Sequence, residues 1–138
     1  MYYHKKDILV YKNFSIHTNI KERTEINNIT NNNKIFMSNI VPFNKYLQYV
    51  SRSIFIISPP GNAIESHRTW ESLYLKAIPI VKRDMALKQF DQLPIFFIDN
   101  WEEITIDFLR KNVNKIEGVK EKIKELNFKY WENKIKYE

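Results

Sequence analysis

The sequence predicts an α/β fold, a parallel sheet with helices on both faces. Three observations carry that prediction. Ile54-Phe55-Ile56-Ile57 is a continuous apolar run, the pattern of a parallel strand covered on both sides. Short β-prone runs alternate with segments of helical spacing through the 138 residues, as in a sheet built by right-handed crossovers. The stretch from Ser53 to Arg83, SIFIISPPGNAIESHRTWESLYLKAIPIVKR, reads as strand, turn, helix and strand. That βαβ unit carries a polar loop at the carboxyl end of its first strand, where ligands bind in open α/β sheets and where helix amides suit phosphate.

The elements follow in order. Ile8-Leu9-Val10-Tyr11 reads as a buried first strand. Asn19 caps a helix running to about Ile29, with Ile20, Ile26 and Ile29 apolar and Lys21, Glu22, Arg23 and Glu25 exposed, until Asn31-Asn32-Asn33 breaks it. Lys34 to Met37 is a second short strand. Pro42 suits the first turn of a helix that points Tyr46, Leu47 and Val50 inward. The helix after the Pro59-Pro60-Gly61 turn carries Trp70, Leu73, Tyr74 and Ala77 towards the core. Ile78 to Val81 is the next strand, with Pro79 tolerable near its start. Asp84 caps a short helix to Phe90, and Pro94 to Ile98 is a further strand. Another helix is capped by Asn100 with Glu103, or by Thr105, and places Phe108, Leu109 and Val113 on one side. A last helix over about 116–136 has an apolar stripe of Ile116, Val119, Ile123, Leu126 and Tyr130.

Length and composition predict one domain over 1–138, globular at 43% hydrophobic residues. With no cysteine, disulfides, thiolate nucleophiles and cysteine metal sites are excluded. No targeting segment or run of about 20 apolar residues is present, which gives a cytoplasmic expectation with no membrane partner. The net charge of +6 invites a nucleic-acid reading. However, from Arg110 onward the basic residues alternate with Glu117, Glu121, Glu125 and Glu132, as on a solvated helix face. Attraction to small anionic ligands such as nucleotide diphosphates is the better fit.

Candidate chemistry gathers in the central stretch. Gly61, one of two glycines, follows a buried strand, either as an ordinary turn or where a ligand approaches the backbone. His67 and Glu71 are four apart, and Arg68 is three from both Glu65 and Glu71. These pairs make either a surface ion network or a ligand site, with Arg68 on a diphosphate and Glu71 on ribose hydroxyls. His4, His17 and His67 lack metal-ligand spacing, and no GxSxG, GxxxxGK[ST] or GxGxxG motif occurs.

The strings Ser58-Pro59-Pro60-Gly61-Asn62, Glu65-Ser66-His67-Arg68-Thr69-Trp70-Glu71-Ser72-Leu73-Tyr74-Leu75 and Ile78-Pro79-Ile80-Val81 resemble exostosin-like glycosyltransferases. They look most like viral and microbial relatives with the pattern SPxGNGxDxHRxWExLxLGxxPIV. Asn13-Phe14-Ser15 with Thr18, Asn19 and Arg23 is similar to that group's NFxxxTN…R segment. Leu93-Pro94-Ile95, Asp99-Asn100-Trp101 and Ile104-Thr105 are similar to its LP, DDW and IT segments. The resemblance spans about residues 8 to 110.

It implies a Rossmann-like domain equivalent to the C-terminal, donor-binding half of a GT-B fold. It also implies transfer of sugar from a nucleotide-diphosphate donor, such as a UDP-sugar, to an acceptor. Ser58, Gly61, Asn62, Glu65, His67, Arg68, Thr69 and Glu71 would bind the donor. His67 and Arg68 would act catalytically by stabilising the departing diphosphate, with no metal and no other cofactor. Inversion is implied, with the base supplied from the other half. With Met1 directly before the first strand, a separate acceptor half or self-association is expected to complete the cleft. The sequence departs from the pattern at Ala63 and Lys76, which replace glycines, and at Glu65, which replaces aspartate. These departures carry the alternative, a non-catalytic interaction or structural protein that kept the glycosyltransferase fold.

Overall fold

The fold is seen in a computed structural model that describes residues 6–15, 19–31, 33–60, 67–90 and 93–112. Five strands, β1 (Ile8–Lys12), β2 (Phe36–Ser38), β3 (Ser53–Ile57), β4 (Ile78–Lys82) and β5 (Phe96–Ile98), form one all-parallel sheet in the order β2-β1-β3-β4-β5. The helices among the described residues are α1 (Ile20–Thr30), α2 (Phe43–Ser51), α3 (His67–Tyr74) and α4 (Ile106–Asn112). Two 3-10 turns, Met85–Phe90 and Trp101–Glu103, flank β5. The helix expected over 116–136 and Val113 lie outside the described residues.

Strand order decides which face each helix covers. The chain steps from β1 out to β2, then returns past β1 to β3 and on to β4 and β5. Right-handed crossovers in opposite directions put their helices on opposite faces. Accordingly Ile26 of α1 and Leu109 of α4 pack with Val10, Phe55, Ile57, Ile80 and Ile98. Tyr46 and Val50 of α2 pack with Tyr11 and Ile56 on the other side. There Leu73 of α3 meets Val81, Leu87 and Ile95. All five residues of β1 and of β3 are buried, which explains their unbroken apolar runs. The fold is Rossmann-like α/β, as the alternation predicts.

Pro79 is compatible with an inner strand for a geometric reason. The Ile80 carbonyl accepts from the N–H of Ser58, just past β3, at 3.0 Å, so Pro79 faces the β5 side. Opposite β5, pairing begins only at Ile80, which lies against Phe96. The missing N–H therefore interrupts no ladder.

Asn19 caps α1 as expected, its side-chain oxygen accepting from Glu22 N–H at 3.3 Å. Two expectations for this helix are corrected. Ile20 is 61% exposed, whereas Arg23 is buried. The inward stripe is Arg23, Ile26 and Thr30, at steps of three and four. Lys12 is also buried, and its Nζ donates to Thr30 Oγ1 at 2.6 Å, Asn31 Oδ1 at 3.0 Å and Asn27 Oδ1 at 3.2 Å. A cation thereby meets the negative end of α1, and burial lowers its pKa. Pro42 precedes α2 as its N-cap residue instead of opening its first turn. Both proposed caps near residue 100 exist: Asn100 and Glu103 form a capping box on the 3-10 turn, and Thr105 Oγ1 accepts from Phe108 N–H in α4.

Helix α3 differs most from its sequence reading. Trp70 is 38% exposed and Tyr74 is 86% exposed, while Thr69 and Ser72 are its buried residues. Small side chains at three-residue spacing allow α3 close to the sheet, and the bulky rings fall at its margin. Trp70 meets Phe90 edge-on at 5.1 Å. Leu75 continues the turn and Ala77 is buried just beyond it. Helix α3 ends in a Schellman motif: Ala77 N–H bonds to Ser72 O at 2.8 Å and Lys76 N–H to Leu73 O at 3.3 Å, with Lys76 at φ 63°. A side chain in this left-handed conformation costs about 1–2 kcal/mol. Lys76→Gly is therefore expected to raise stability by about 1 kcal/mol in urea unfolding, after the entropy glycine adds to the unfolded chain is subtracted.

Candidate functional site

In this strand order the switch point lies between β1 and β3. Helices α1 and α3 leave these neighbouring strands on opposite faces, so a crevice opens between their exit loops at the carboxyl edge. Two arginines fasten the loops across it. From α1, Arg23 donates through Nη1 to Ser15 O at 2.7 Å, through Nε to Pro60 O at 3.1 Å and through Nη2 to Pro59 O at 3.4 Å. From α3, Arg68 Nε donates to Asn13 O beyond β1. Each helix thus holds the loop of the other's strand. The Arg23 guanidinium also lies 5.5 Å from the centre of the Phe14 ring. Burial lowers its pKa, and the nearby Arg68 charge lowers it further, against a smaller opposing effect from Glu22. An anion entering beside these groups would relieve that repulsion.

Beside this junction is an open cleft of about 380 Å³ lined by Asn13, Val41, Phe43, Tyr46, His67, Arg68 and Glu71. Its size falls within the usual range for small-molecule sites. The first two turns of α3 contribute the charged wall: exposed His67 and half-buried Arg68 and Glu71. The start of α2 and the loop before it contribute Val41, Phe43 and Tyr46. Tyr46 OH donates to Glu71 Oε1 at 2.9 Å. Burial, reinforced by the Glu71 charge, pushes the Tyr46 hydroxyl well above the ordinary phenol range, so it remains a donor. Below it Tyr11 OH donates to Asn39 Oδ1 and accepts from Asn13 Nδ2 at 3.0 Å, holding both loops that border the cleft.

On the other face of the sheet, the first turn of α1 is tied to the strand ends. Trp101 Nε1 donates to Glu22 Oε1 at 3.1 Å, and Lys82 Nζ lies 3.8 Å from the same oxygen. Glu22 therefore acts as a tie among α1, β4 and the turn after β5.

Of the expected site residues, His67, Arg68 and Glu71 come together in the cleft. Ser58 and Thr69 are buried and hydrogen-bond each other at 2.8 Å, so their hydroxyls join the end of β3 to α3 and do not line the cleft. Gly61, Asn62 and Glu65 lie outside the described residues, as does Ala63. Sequence reading missed Phe43 and Tyr46 as cleft residues, and Arg23 as the residue that fastens the loops beside them. Arg23 shares a helical stripe with Ile26, and Phe43 and Tyr46 are three apart, which are the signals that could have exposed them. Among the described residues, no group of three or more His, Asp or Glu side chains could hold a metal, and no helix is long and apolar enough to cross a membrane.

Fold and site together define the class: a Rossmann-like α/β domain with an open cleft, charged on one wall and apolar on the other, beside the switch point of its sheet. The chain matches no protein-family model, and no curated protein matches it.

Proposed function

We propose that this is a donor-binding glycosyltransferase-like domain, which binds a nucleotide-diphosphate sugar and presents it for transfer to an acceptor held by a second domain or a second copy. The observation that carries the reading is the convergence of His67, Arg68 and Glu71 on one cleft at the carboxyl edge of β1 and β3. The exostosin-like resemblance of the Ser58–Val81 stretch supports it independently of that geometry.

In this reading Arg68 and His67 hold the diphosphate, and Arg23 adds positive potential behind the loops. The acceptor oxygen attacks the anomeric carbon as the bond to the diphosphate oxygen breaks. The departing diphosphate carries the electron pair into the field of these groups. A base on the acceptor side takes the acceptor's proton, and Glu71 accepts from ribose hydroxyls. Lys76, one of the departures from the resembled pattern, follows the C-terminal end of α3, whereas the cleft residues open that helix.

Titration calorimetry with a panel of UDP- and GDP-sugars tests the proposal. At least one is expected to bind, and Arg68→Ala and Glu71→Ala are each expected to weaken it by about tenfold or more, the scale of a lost charge-assisted hydrogen bond. A folded protein that gives no heat with any of them would overturn donor binding and favour the non-catalytic reading.

A further inference from the structure

We infer that α2 reads the nucleoside of the ligand: Phe43 is the face on which the base stacks, and Tyr46 positions Glu71 for the ribose. This rests on the nucleotide-sugar reading of the cleft.

The cleft has two unlike walls. One carries His67, Arg68 and Glu71, and the other carries Val41 and Phe43, with Tyr46 behind them. Inorganic pyrophosphate or a sugar phosphate has no flat apolar part to place on the second wall, whereas a nucleotide has one. Phe43 opens α2, borders the cleft and remains 63% exposed, so its ring is available to a ligand. Stacking on an aromatic ring accepts any base, because every base has a π-face. Phe43 would therefore select for the presence of a base and not for its identity.

Tyr46 links the two walls. Three residues after Phe43, its ring is tilted against that of Phe43 at 5.9 Å, and its hydroxyl holds Glu71 Oε1. It is buried, with the Tyr11 ring 6.3 Å away on its inner side, so it is held in place by packing. One oxygen of Glu71 is thereby fixed, which sets the direction in which the carboxylate faces the cleft. Tyr46 is a positioning residue: it acts on the ribose through Glu71.

The test is calorimetric titration of UDP, GDP, 2′,3′-dideoxy-UDP and inorganic pyrophosphate against the full chain and its Phe43→Ala, Phe43→Trp and Tyr46→Phe variants, with circular dichroism to confirm folding. Phe43→Ala is expected to weaken UDP and GDP alike by about tenfold and to leave pyrophosphate unchanged, while Phe43→Trp retains nucleotide binding. Tyr46→Phe is expected to shrink the preference for UDP over its dideoxy analogue. Equal losses for UDP and pyrophosphate in Phe43→Ala, or no loss for UDP, would overturn the base subsite. An undiminished ribose preference in Tyr46→Phe would overturn the positioning role. If the unmodified protein binds neither UDP nor GDP, the underlying reading falls as well; binding that ignores Phe43 and Tyr46 overturns this inference alone.

Discussion

Replacing Arg23 by methionine is expected to lower the free energy of unfolding by about 3 kcal/mol or more. The guanidinium reaches three carbonyl oxygens on two different loops. Hydrogen bonds to a charged group contribute about 1.5–3 kcal/mol each, and acceptors left dry after its removal add a penalty. Methionine fills much of the same space, so the loss reports the polar contacts more than a cavity. Arg23→Lys keeps the charge but not the fork, since one ammonium cannot match five donors fixed in a plane. It is expected to recover less than half of the lost stability. Urea unfolding of both variants checks this, and a lysine variant as stable as the parent would show that charge alone suffices. A small domain has only about 5–15 kcal/mol in total, so the loop-fastening role of this side chain is a large part of the molecule's stability.

Trp101→Ala is expected to be at least as damaging, at about 3–5 kcal/mol. The indole is 2% exposed within the cluster that joins α1, α4 and the sheet. Its removal opens a cavity and takes the N–H from Glu22. Trp101→Phe retains a ring but loses the bond together with part of the indole's volume; about 2–3 kcal/mol is expected, less than for Trp101→Ala. Trp70→Ala is the natural contrast. At 38% exposure and at the margin of α3 against Phe90, it is expected to be clearly milder than Trp101→Ala. Thermal or urea unfolding of the set decides it, and equal losses at the two tryptophans would refute the assignment of Trp101 to the core.

The sheet was legible because its inner strands are buried on both faces, and that condition leaves an unmistakable apolar run at Ile54–Ile57 and at Ile8–Tyr11. Helix caps were legible for a similar reason: Asn19, Asn100 and Thr105 act on neighbours in sequence. What was misread depends on long-range contact. Arg23 looks like a surface charge until Pro59 and Pro60, far along the chain, offer their carbonyls. Trp70 and Tyr74 have the periodicity of core residues, yet α3 approaches the sheet through Thr69 and Ser72, whose hydroxyls are satisfied at Ser58 and at Arg68 O. The cleft was half legible. Its charged wall follows one loop in sequence, so His67, Arg68 and Glu71 could be grouped by spacing. Its apolar wall comes from α2, brought alongside only because the crossover from β2 passes β1 to reach β3. Lys76 is a clear local case, a lysine at φ 63° where the resembled pattern has glycine.

The sheet narrows from five-residue strands at β1, β3 and β4 to three residues at each margin, β2 and β5. An exposed strand edge is a template on which another chain can add its own strand, and short margins give it little to hold. Among the described residues, neither margin is long enough to favour strand exchange between copies or aggregation through an extended edge. In the proposed reading, a second domain or second copy that completes the cleft would meet this one through side chains at the carboxyl edge. Such contacts can be broken and remade each time a ligand enters or leaves, which a shared sheet would not readily permit.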